Sequence, residues 1–347
     1  MNKLILVAVF GALMAGAYVY NMQPKQTLMS YQPEVLSAWS QWKSVHRTGN
    51  FYGSMSEESY RLSVFSESYN KVQTSNANPK HTFKLELNKF ADMTTQEFAK
   101  IYLNAKYDIT APAGYETEQL VEERNGNLTE TNVDWVAAGR VTRIKDQGQC
   151  GSCWAFGTTG ALEGLYAKQN GSTLELAEQQ LVDCWHGSLL PPRLPCLGCN
   201  GGNPTSAMGG VSSTGIMKES DYTYTAKGGS CKFDSTKVAF KNKSYSHVTP
   251  LCNSCLRTAV DAQPVVVAIY AEPIQHYKNG VYNGSCFGKP DHAVLVVGYG
   301  TENGQAYWKI KNSWGTVFGE EGFFRITRTD SIGLGQCWIA MSAAYPY

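Results

Sequence analysis

Apolar residues recur at the spacing of one helix face between residues 154 and 170. The positions that form this face are Ala155, Ala161, Leu162, Leu165 and Ala167. The pattern predicts a helix that begins directly after a tight Gly151-Ser152 turn. Cys153 then lies at or near the helix N-terminus, where unpaired N–H groups and the helix dipole favour a thiolate. This thiol is therefore a candidate nucleophile.

Apolar stripes near the N-terminus predict two further helices. The first stripe consists of Val35, Leu36, Trp39 and Trp42, and the second of Tyr60, Val64 and Phe65. No cysteine occurs between residues 18 and 128, whereas all ten cysteines follow them. This change in composition indicates a small helical domain followed by a larger second domain, and 347 residues are enough chain for both.

A β-hairpin is predicted around Asn303-Gly304, because this dipeptide favours tight hairpin turns. Residues 294–297 and 306–311 provide its two strands. His292 lies eleven residues before the turn and Asn312 eight residues after it, so the two come roughly level on neighbouring strands. The Asn312 carbonyl can then accept a hydrogen bond from one imidazole nitrogen while the other nitrogen faces a thiol.

The 30 basic and 29 acidic residues nearly cancel, and no long basic run occurs. Nothing in the charge pattern therefore points to a nucleic-acid partner. The hydrophobic content of 43% is that of a folded globular protein.

Residues 1–17 have the pattern of a secretory signal peptide, with Lys3 at the start and the small residues Ala15-Gly16-Ala17 at the end. An extension to Tyr20 would make a signal anchor, but no other apolar run is long enough for a stable membrane span. A secretory route implies an oxidising compartment, which fits the ten cysteines. The sequons for N-glycosylation are Asn127, Asn170, Asn242 and Asn283.

The cysteine, histidine and asparagine motifs together resemble those of the papain-like cysteine proteases. Gln147 lies six residues before Cys153 in the run Gln-Gly-Gln-Cys-Gly-Ser-Cys-Trp, His292 precedes an alanine, and Asn312 opens Asn-Ser-Trp-Gly. His292 follows Cys153 by 139 residues and Asn312 follows it by 159. The resemblance implies an α+β, papain-like two-lobed fold: a helical left lobe, a β-barrel-like right lobe and a cleft between them.

The same resemblance implies a role for each of these residues and requires no cofactor and no metal. Cys153 attacks the peptide carbonyl, and His292 keeps the thiol ionised and later protonates the leaving amine. Asn312 orients the imidazole, and Trp314 shields this hydrogen bond from water. The Gln147 side-chain amide and the Cys153 N–H stabilise the developing oxyanion.

The first domain resembles the prodomain of cathepsin L-like zymogens. A first motif comprises Glu57, Arg61, Val64, Phe65, Val72 and Asn76, with Ser68 where asparagine is usual. A second motif comprises Asn88, Phe90 and Asp92, with Glu86 where glycine is usual. The resemblance implies a mainly helical inhibitory prodomain that runs backwards through the cleft. We hypothesise that acid weakens it by protonating its carboxylates.

The expected domain organisation is a signal peptide at 1–17, the prodomain at 18–128 and the mature peptidase at 129–347. The linker of residues 107–130 contains Pro112 and four clustered glutamates and should be exposed and cleavable, with the mature chain starting near Thr129.

Substrate-binding residues are also implied by the resemblance. Gly201 and Gly202 match the backbone that hydrogen-bonds extended peptides, because the absence of side chains permits close approach. The pocket for the residue one before the scissile position comprises Asn203, Pro204, Ala268, Ala293 and Ser342. Small residues make this pocket roomy and uncharged, which predicts bulky apolar side chains there, although Asn203 replaces the usual aromatic residue or leucine. The extended loop at residues 185–195 precedes the glycine motif, unlike the occluding loop of cathepsin B-type exopeptidases, so an endopeptidase is expected.

The resemblance implies the disulfides Cys150–Cys199, Cys184–Cys231 and Cys286–Cys337. It leaves Cys196, Cys252 and Cys255 open: the last two can form a local bridge, or one of them can reach Cys196. A zinc site built from Cys196, Cys199, Cys252 and Cys255, or a redox dithiol at Cys252 and Cys255, is compatible with the spacing alone.

The expected partners are protein and peptide substrates, the protein's own prodomain and cystatin-like inhibitors, with the enzyme itself a monomer. The expected destination is a lysosome, an acidic vacuole or the extracellular space. The alternative function is that of a catalytically silent papain-like binding protein, against which the intact Cys153, His292, Asn312 and Gln147 argue.

Overall fold

The computed structural model describes residues 31–49, 52–106, 132–185 and 196–347. Outside these residues lie the expected signal peptide, the whole linker of residues 107–130 with the Asn127 sequon and the cleavage region near Thr129, and the loop with His186. In the described ranges, no helix combines the length and apolarity that crossing a membrane would require.

The N-terminal region contains three helices, α1 (Pro33–His46), α2 (Met55–Ala77) and α3 (Thr95–Tyr102), and the short strand β1 (Phe83–Leu85). Ser54 caps α2 by accepting a hydrogen bond from the Glu57 N–H, and Thr94 and Glu97 form a reciprocal capping box at the start of α3. The prediction of helices is therefore confirmed, but Leu36 of α1 and Tyr60 of α2 are each 45% exposed and do not belong to the buried faces of these helices.

The prodomain motif residues act as connectors between these elements. Arg61 donates to Glu57 and Glu97 at 2.7 Å each and thereby ties α2 to α3. Asn76 exchanges two hydrogen bonds of 2.9 Å with the backbone of Leu85 in β1. Asn88 donates to the Gln275 carbonyl at 2.8 Å, which fixes the segment after β1 against the larger part of the chain.

The larger part of the chain contains α4 (Cys153–Asn170), α5 (Glu178–Cys184), α6 (Pro204–Thr214) and α7 (Asn253–Ala262). Its strands are β2 (Val133–Asp134), β3 (Ile216–Met217), β4 (Val238–Phe240), β5 (Tyr245–His247), β6 (Val265–Ile269), β7 (Tyr277–Tyr282), β8 (His292–Glu302), β9 (Gln305–Lys311), β10 (Phe323–Thr327) and β11 (Ala343–Pro346). Helices α4 to α6 gather around one core and the main sheet around another, which is the predicted α+β division into two lobes.

The main sheet has the strand order β1-β7-β10-β9-β8-β6-β11-β5, and β2 pairs with β8. Its pairs are antiparallel except that between β7 and β10. No pairing joins β1 to β5 among the described residues, so the right lobe is an open sheet and not a closed barrel.

The hairpin of β8 and β9 turns at Asn303 and Gly304, as the sequence predicts. Both residues have positive φ, 52° and 79°, which suits the tight turn that joins right-twisted strands. Glu302 pairs with Gln305 next to the turn. A register shift between Val296 and Gly298 changes the pairing of β8 with β9 at the end of the hairpin away from the turn. His292 begins β8 and Asn312 follows β9, so the hairpin brings these two residues to the same end of the sheet.

Helix α4 is buried around most of its circumference and not on one face only. Glycines allow this close contact: a Cβ at Gly157 would lie 2.7 Å from the Val266 Cγ2, and one at Gly164 would lie 2.8 Å from the Pro264 ring. The apolar stripe in the sequence therefore identifies the helix but underestimates how much of it is enclosed. This packing presents the first residue of α4, Cys153, to the β8 side of the molecule.

A buried ion cluster lies beside α4. Lys145 donates to Glu163 at 2.7 Å and to Glu178 at 2.6 Å, and each of the three side chains is less than a tenth exposed. Burial alone would lower the pKa of Lys145, but the two carboxylates outweigh it and raise this pKa. The cluster allows charged groups to remain ionised in the interior because each has partners of opposite sign.

We expect Lys145→Met to lower the free energy of unfolding of the full-length chain by about 3–5 kcal/mol, because two buried carboxylates lose their common cation. Urea titration with the disulfides intact measures this change. The control is Arg143→Met, which breaks an Arg143–Glu175 pair that is 60% and 36% exposed. It should cost less than about 1 kcal/mol. Equal losses in the two variants would contradict the importance of the buried cluster.

Candidate active site

Cys153 is the first residue of α4 and is completely buried. Its thiol lies against the backbone of Ala293, which follows His292, and against the backbone of Asn104 from the prodomain region. Burial raises the pKa of Cys153 to about 11, although these backbone hydrogen bonds act in the opposite direction. In this form of the chain, burial therefore opposes the thiolate that the helix N-terminus favours.

His292 is fixed by one strong contact. Its Nε2 donates to Asn312 Oδ1 at 2.9 Å, and the same oxygen accepts from the Ser313 N–H at 2.8 Å. Nδ1 is buried without a hydrogen-bond partner among the described residues, so this nitrogen is available as a proton acceptor. Burial lowers the pKa of His292 to about 4, while Asn312 and the nearby Tyr102 backbone raise it. Burial therefore favours the neutral form of both the ring and the Cys153 thiol.

Trp314 stacks on the His292 ring with centroids 4.7 Å apart and planes 27° apart. Phe318 packs edge-on against the indole at 4.7 Å. Two prodomain rings, Phe90 and Phe98, pack against the same indole at 5.6 and 5.1 Å. Trp314 is fully buried and covers the imidazole, as the resemblance of the motifs implies.

Gln147 connects the segments that carry Cys153 and Asn312. Its Oε1 accepts from the Ser313 hydroxyl at 2.7 Å, and its N–H donates to the Ser313 carbonyl at 2.8 Å. Its Nε2 donates to the Cys150 carbonyl at 2.9 Å and to the Tyr102 carbonyl at 3.3 Å. A prodomain carbonyl therefore occupies the position in front of this side-chain amide.

Gly201 and Gly202 receive the prodomain backbone. Ala105 forms a parallel bridge with Gly202, and the Lys106 N–H donates to the Gly202 carbonyl at 2.8 Å. A Cβ at Gly201 would lie 2.0 Å from the Asn104 carbonyl oxygen, so only glycine permits this approach. On the opposite side, the Ala105 N–H donates to the Asp291 carbonyl at 3.0 Å.

The remaining predicted substrate-binding residues divide into two groups. Asn203 caps α6 by accepting from the Ser206 N–H, and its amide donates to the Lys106 carbonyl at 2.9 Å; Pro204 is the first helical residue. Ala268 and Ala293 are directly paired on β6 and β8, and the Ser342 carbonyl accepts from the Ala268 N–H at 2.8 Å.

Met208 is an additional residue of this region that the motifs do not identify. It belongs to the same buried apolar cluster as Cys153, Ala293 and the prodomain residue Ala105. Met208 lies four residues after Pro204 on α6, so it faces the same side of the helix. This helical spacing is the signal that could have identified it.

Residues 102–106 also contact the site and carry no motif in the sequence. They contact the site through the Tyr102, Asn104, Ala105 and Lys106 backbone, which almost any residue type can provide. A motif identifies side chains, so a backbone interaction of this kind leaves no signal.

The disulfides are Cys150–Cys199, Cys184–Cys231, Cys252–Cys255 and Cys286–Cys337, and the free thiols are Cys153 and Cys196. Of the alternatives for the last cysteines, the structure has the local Cys252–Cys255 bridge. Cys199 is bonded to Cys150, so the four cysteines of the zinc alternative do not form a ligand set. The described residues contain no cluster of three metal-ligating side chains.

Comparison with known proteins gives two family matches: residues 129–347 match the papain family cysteine proteases, and residues 39–98 match the cathepsin propeptide inhibitor domain. Digestive cysteine proteinase 2 of Homarus americanus is 39% identical over 89% of this chain and 94% of its own. Germination-specific cysteine protease 1 of Arabidopsis thaliana is 38% identical over 90% and 84%.

Solved structures agree with this assignment. Digestive procathepsin L 3 of Tenebrio molitor larval midgut has a TM-score of 0.75 at 36% identity and covers 91% of this chain and 99% of its own. The recombinant stem bromelain precursor has a TM-score of 0.77 at 31% identity, with coverages of 90% and 98%. The prediction of a papain-like zymogen fold is confirmed. The chain belongs to the papain family of cysteine proteases and is a cysteine endopeptidase with a propeptide inhibitor domain.

Proposed function

We propose that the enzyme hydrolyses peptide bonds with Cys153 as nucleophile and His292 as its base, oriented by Asn312. The observation that carries this proposal is the 2.9 Å hydrogen bond from His292 Nε2 to Asn312 Oδ1, which leaves Nδ1 as the acceptor. The Cys153 sulfur forms a thioester with the substrate carbonyl, and His292 delivers the thiol proton to the leaving amine. Water then attacks the thioester with His292 as base, which releases the acid and restores the thiol.

Gln147 is the proposed oxyanion donor together with the Cys153 N–H. The 3.3 Å contact from Gln147 Nε2 to the Tyr102 carbonyl supports this role, because a carbonyl oxygen is already bound there in the zymogen. Gly201 and Gly202 then bind the substrate backbone. Asn203, Pro204, Ala268, Ala293 and Ser342 line the pocket for the residue before the scissile position, and Met208 supplies part of its floor.

The prodomain, residues 18–128, is proposed to keep the mature domain, residues 129–347, inactive by filling these positions and by excluding water from the thiol and imidazole. Its removal returns solvent to the cleft, so that Cys153 and His292 can form the thiolate–imidazolium pair that burial disfavours. The proposed route is secretory, with residues 1–17 as signal peptide and an acidic vacuole, a lysosome or the cell exterior as destination.

Acid activation has a specific physical basis at the prodomain contact. Glu86 donates its N–H to the His276 carbonyl at 2.8 Å, and His276 is 2% exposed. Burial, followed by the charge of Lys71, lowers the pKa of His276 to about 3. Glu272 is the acidic group that faces Lys71, and Lys278 faces Glu86 at 3.7 Å.

Three groups at the prodomain contact, His276, Glu97 and Glu86, contribute to the pH dependence of docking with different signs. His276 binds a proton more readily once the prodomain has left. The free energy of prodomain docking therefore weakens as the pH falls below about 6.5, by up to about 1.4 kcal/mol per pH unit. Burial would raise the pKa of Glu97, but Arg61 and Thr94 lower it, so its contribution to stability is lost only below about pH 4.5. Burial raises the pKa of Glu86, so acid relieves a cost there and opposes release. Protonation of carboxylates alone is therefore not a sufficient hypothesis, and protonation of His276 is a second contribution to acid activation.

We expect the Cys153→Ala zymogen to show no activity on a denatured protein substrate after removal of its prodomain, at least about a thousandfold below wild type, because the nucleophile is absent. Cys196→Ala, which removes the other buried free thiol, should stay within about twofold of wild type. Activity of Cys153→Ala near that of Cys196→Ala would contradict the mechanism. A folded, prodomain-free wild type without activity would leave a silent binding protein as the better interpretation.

We expect the purified zymogen to process itself faster at pH 4.5 than at pH 7, and His276→Phe to shift the midpoint of this pH dependence to lower pH. The phenyl ring keeps the volume and does not titrate. Gel densitometry of the processed band at a series of pH values measures the midpoint. His247→Phe is the control, since His247 is exposed. Equal rates at the two pH values, or equal midpoints in both variants, would refute this trigger.

We expect kcat/KM for a fluorogenic Phe-Arg substrate to be at least about tenfold higher than for the Arg-Arg substrate. The reason is that Ala268, Ala293 and Met208 provide an uncharged, roomy pocket. The two compounds differ only in the residue before arginine, so kcat/KM compares that pocket alone. Faster cleavage of Arg-Arg would show that an unassigned acidic group controls the specificity.

A further inference from the structure

The Cys252–Cys255 disulfide lies in the first turn of α7 and differs from the other three disulfides. Its cysteines are three positions apart, whereas the other pairs are separated by 47 to 51 positions. It therefore restricts the unfolded chain least, and the fold depends on it least. Leu256 and Val260 on the same helix are fully buried, so packing holds α7 in place without the bridge.

Cys252 is placed as a good leaving group. It is the N-cap of the ten-residue α7, is 1% exposed, and its sulfur accepts a hydrogen bond from the Cys255 N–H at 3.1 Å. The Ser254 hydroxyl lies 3.4 Å from the same sulfur. These donors and the helix dipole stabilise a thiolate on Cys252, and a sulfur with a low thiol pKa leaves faster from a disulfide.

Cys255 is placed to be attacked. It is half-buried and lines an open recess of about 400 Å³ on the side of α7. The described residues that line this recess are small or uncharged apart from one histidine, and none is acidic: His247, Val248, Thr249, Thr258, Ala259, Ala262 and Tyr345. None of these described residues would repel an anionic thiolate that approaches Cys255, and the volume is that of a small-molecule site.

We propose that Cys252–Cys255 is a thiol–disulfide exchange site for a low-molecular-weight peptide thiol such as glutathione, with Cys255 as the attacked sulfur. The external thiolate forms a mixed disulfide with Cys255, the Cys252–Cys255 bond breaks, and Cys252 leaves as a thiolate. A second external thiolate attacks the external sulfur of this mixed disulfide, and Cys255 leaves as a thiolate. The protein gains two electrons, and two thiol molecules become one small disulfide.

The two cysteines have the reverse of the roles found in a redox dithiol whose first cysteine is exposed. Here the first cysteine, Cys252, is enclosed and the second, Cys255, borders the recess. The exchange step therefore modifies Cys255 and not Cys252. The proposal is independent of the peptidase mechanism, because it uses neither Cys153 nor the cleft.

The first test equilibrates the full-length zymogen in buffers of graded reduced and oxidised glutathione, followed by acid quenching, alkylation and peptide mass spectrometry of each disulfide. We expect Cys252–Cys255 to be half-reduced at a [GSH]²/[GSSG] value at least about tenfold lower than any other pair. Tryptophan fluorescence should remain that of the folded protein at this point. Reduction of all four disulfides together, or only on unfolding, would overturn the proposal.

The second test uses two matched serine variants. Both variants are incubated with oxidised glutathione. Cys252→Ser keeps a good N-cap, and its Cys255 thiolate should attack GSSG, which forms a stable mixed disulfide on Cys255 and releases one glutathione thiolate. Cys255→Ser should give less than about a tenth of that adduct, because the remaining Cys252 is enclosed. Equal adduct formation in the two variants would refute the assignment of Cys255 as the attacked sulfur, whatever the outcome of the equilibrium measurement.

Discussion

The hydrogen bond between His292 and Asn312 is the constraint on which the rest of the site depends. It joins the first residue of β8 to the residue that follows β9, so the turn at Asn303 and Gly304 and the register of the hairpin must be correct for it to form. The Ser313 N–H holds the Asn312 oxygen, and Trp314 covers the ring. Ser313 then extends the network to Gln147, which lies six residues before Cys153. One chain of contacts therefore links the hairpin of one lobe to the helix start of the other.

Burial in the zymogen favours a neutral thiol and a neutral imidazole, whereas the catalytic motifs imply a thiolate and an imidazolium. Removal of water costs a thiol and an imidazole least when both are neutral, and in this form of the chain both Cys153 and His292 are completely buried. The same segment satisfies the polar groups of the cleft with its own backbone, through the Tyr102 carbonyl, the Ala105 N–H and the Lys106 N–H that binds Gly202. Inhibition through the backbone places few demands on side-chain identity. The aromatic residues Phe90 and Phe98 supply the specific part of the contact by packing on Trp314.

The sequence predicts those parts of the structure that depend on local patterns or on side-chain chemistry. The helix after Cys153, the hairpin at Asn303 and the family itself follow from spacing and turn residues. The enclosure of α4 was not predictable, because glycines such as Gly157 weaken an apolar pattern while permitting closer packing. The pKa of Cys153 could not be inferred either: a helix N-terminus is visible in a sequence, but desolvation by a segment remote in the chain is not. The roles of Met208 and of the backbone of residues 102–106 were not predictable either, since tertiary contacts set their positions.

The register of residues 102–106 in the cleft separates two contacts that a reactive carbonyl would have to make together. In a reactive complex, one carbonyl group must meet both the oxyanion donor and the sulfur. Here the carbonyl in front of Gln147 belongs to Tyr102, whereas the backbone against the Cys153 thiol belongs to Asn104. The parallel bridge between Ala105 and Gly202 fixes this offset, because sliding the segment along the cleft would break the hydrogen bonds on both sides of it. The segment therefore occupies the polar positions of the cleft, with its Tyr102 carbonyl at Gln147 and its Asn104 backbone at Cys153.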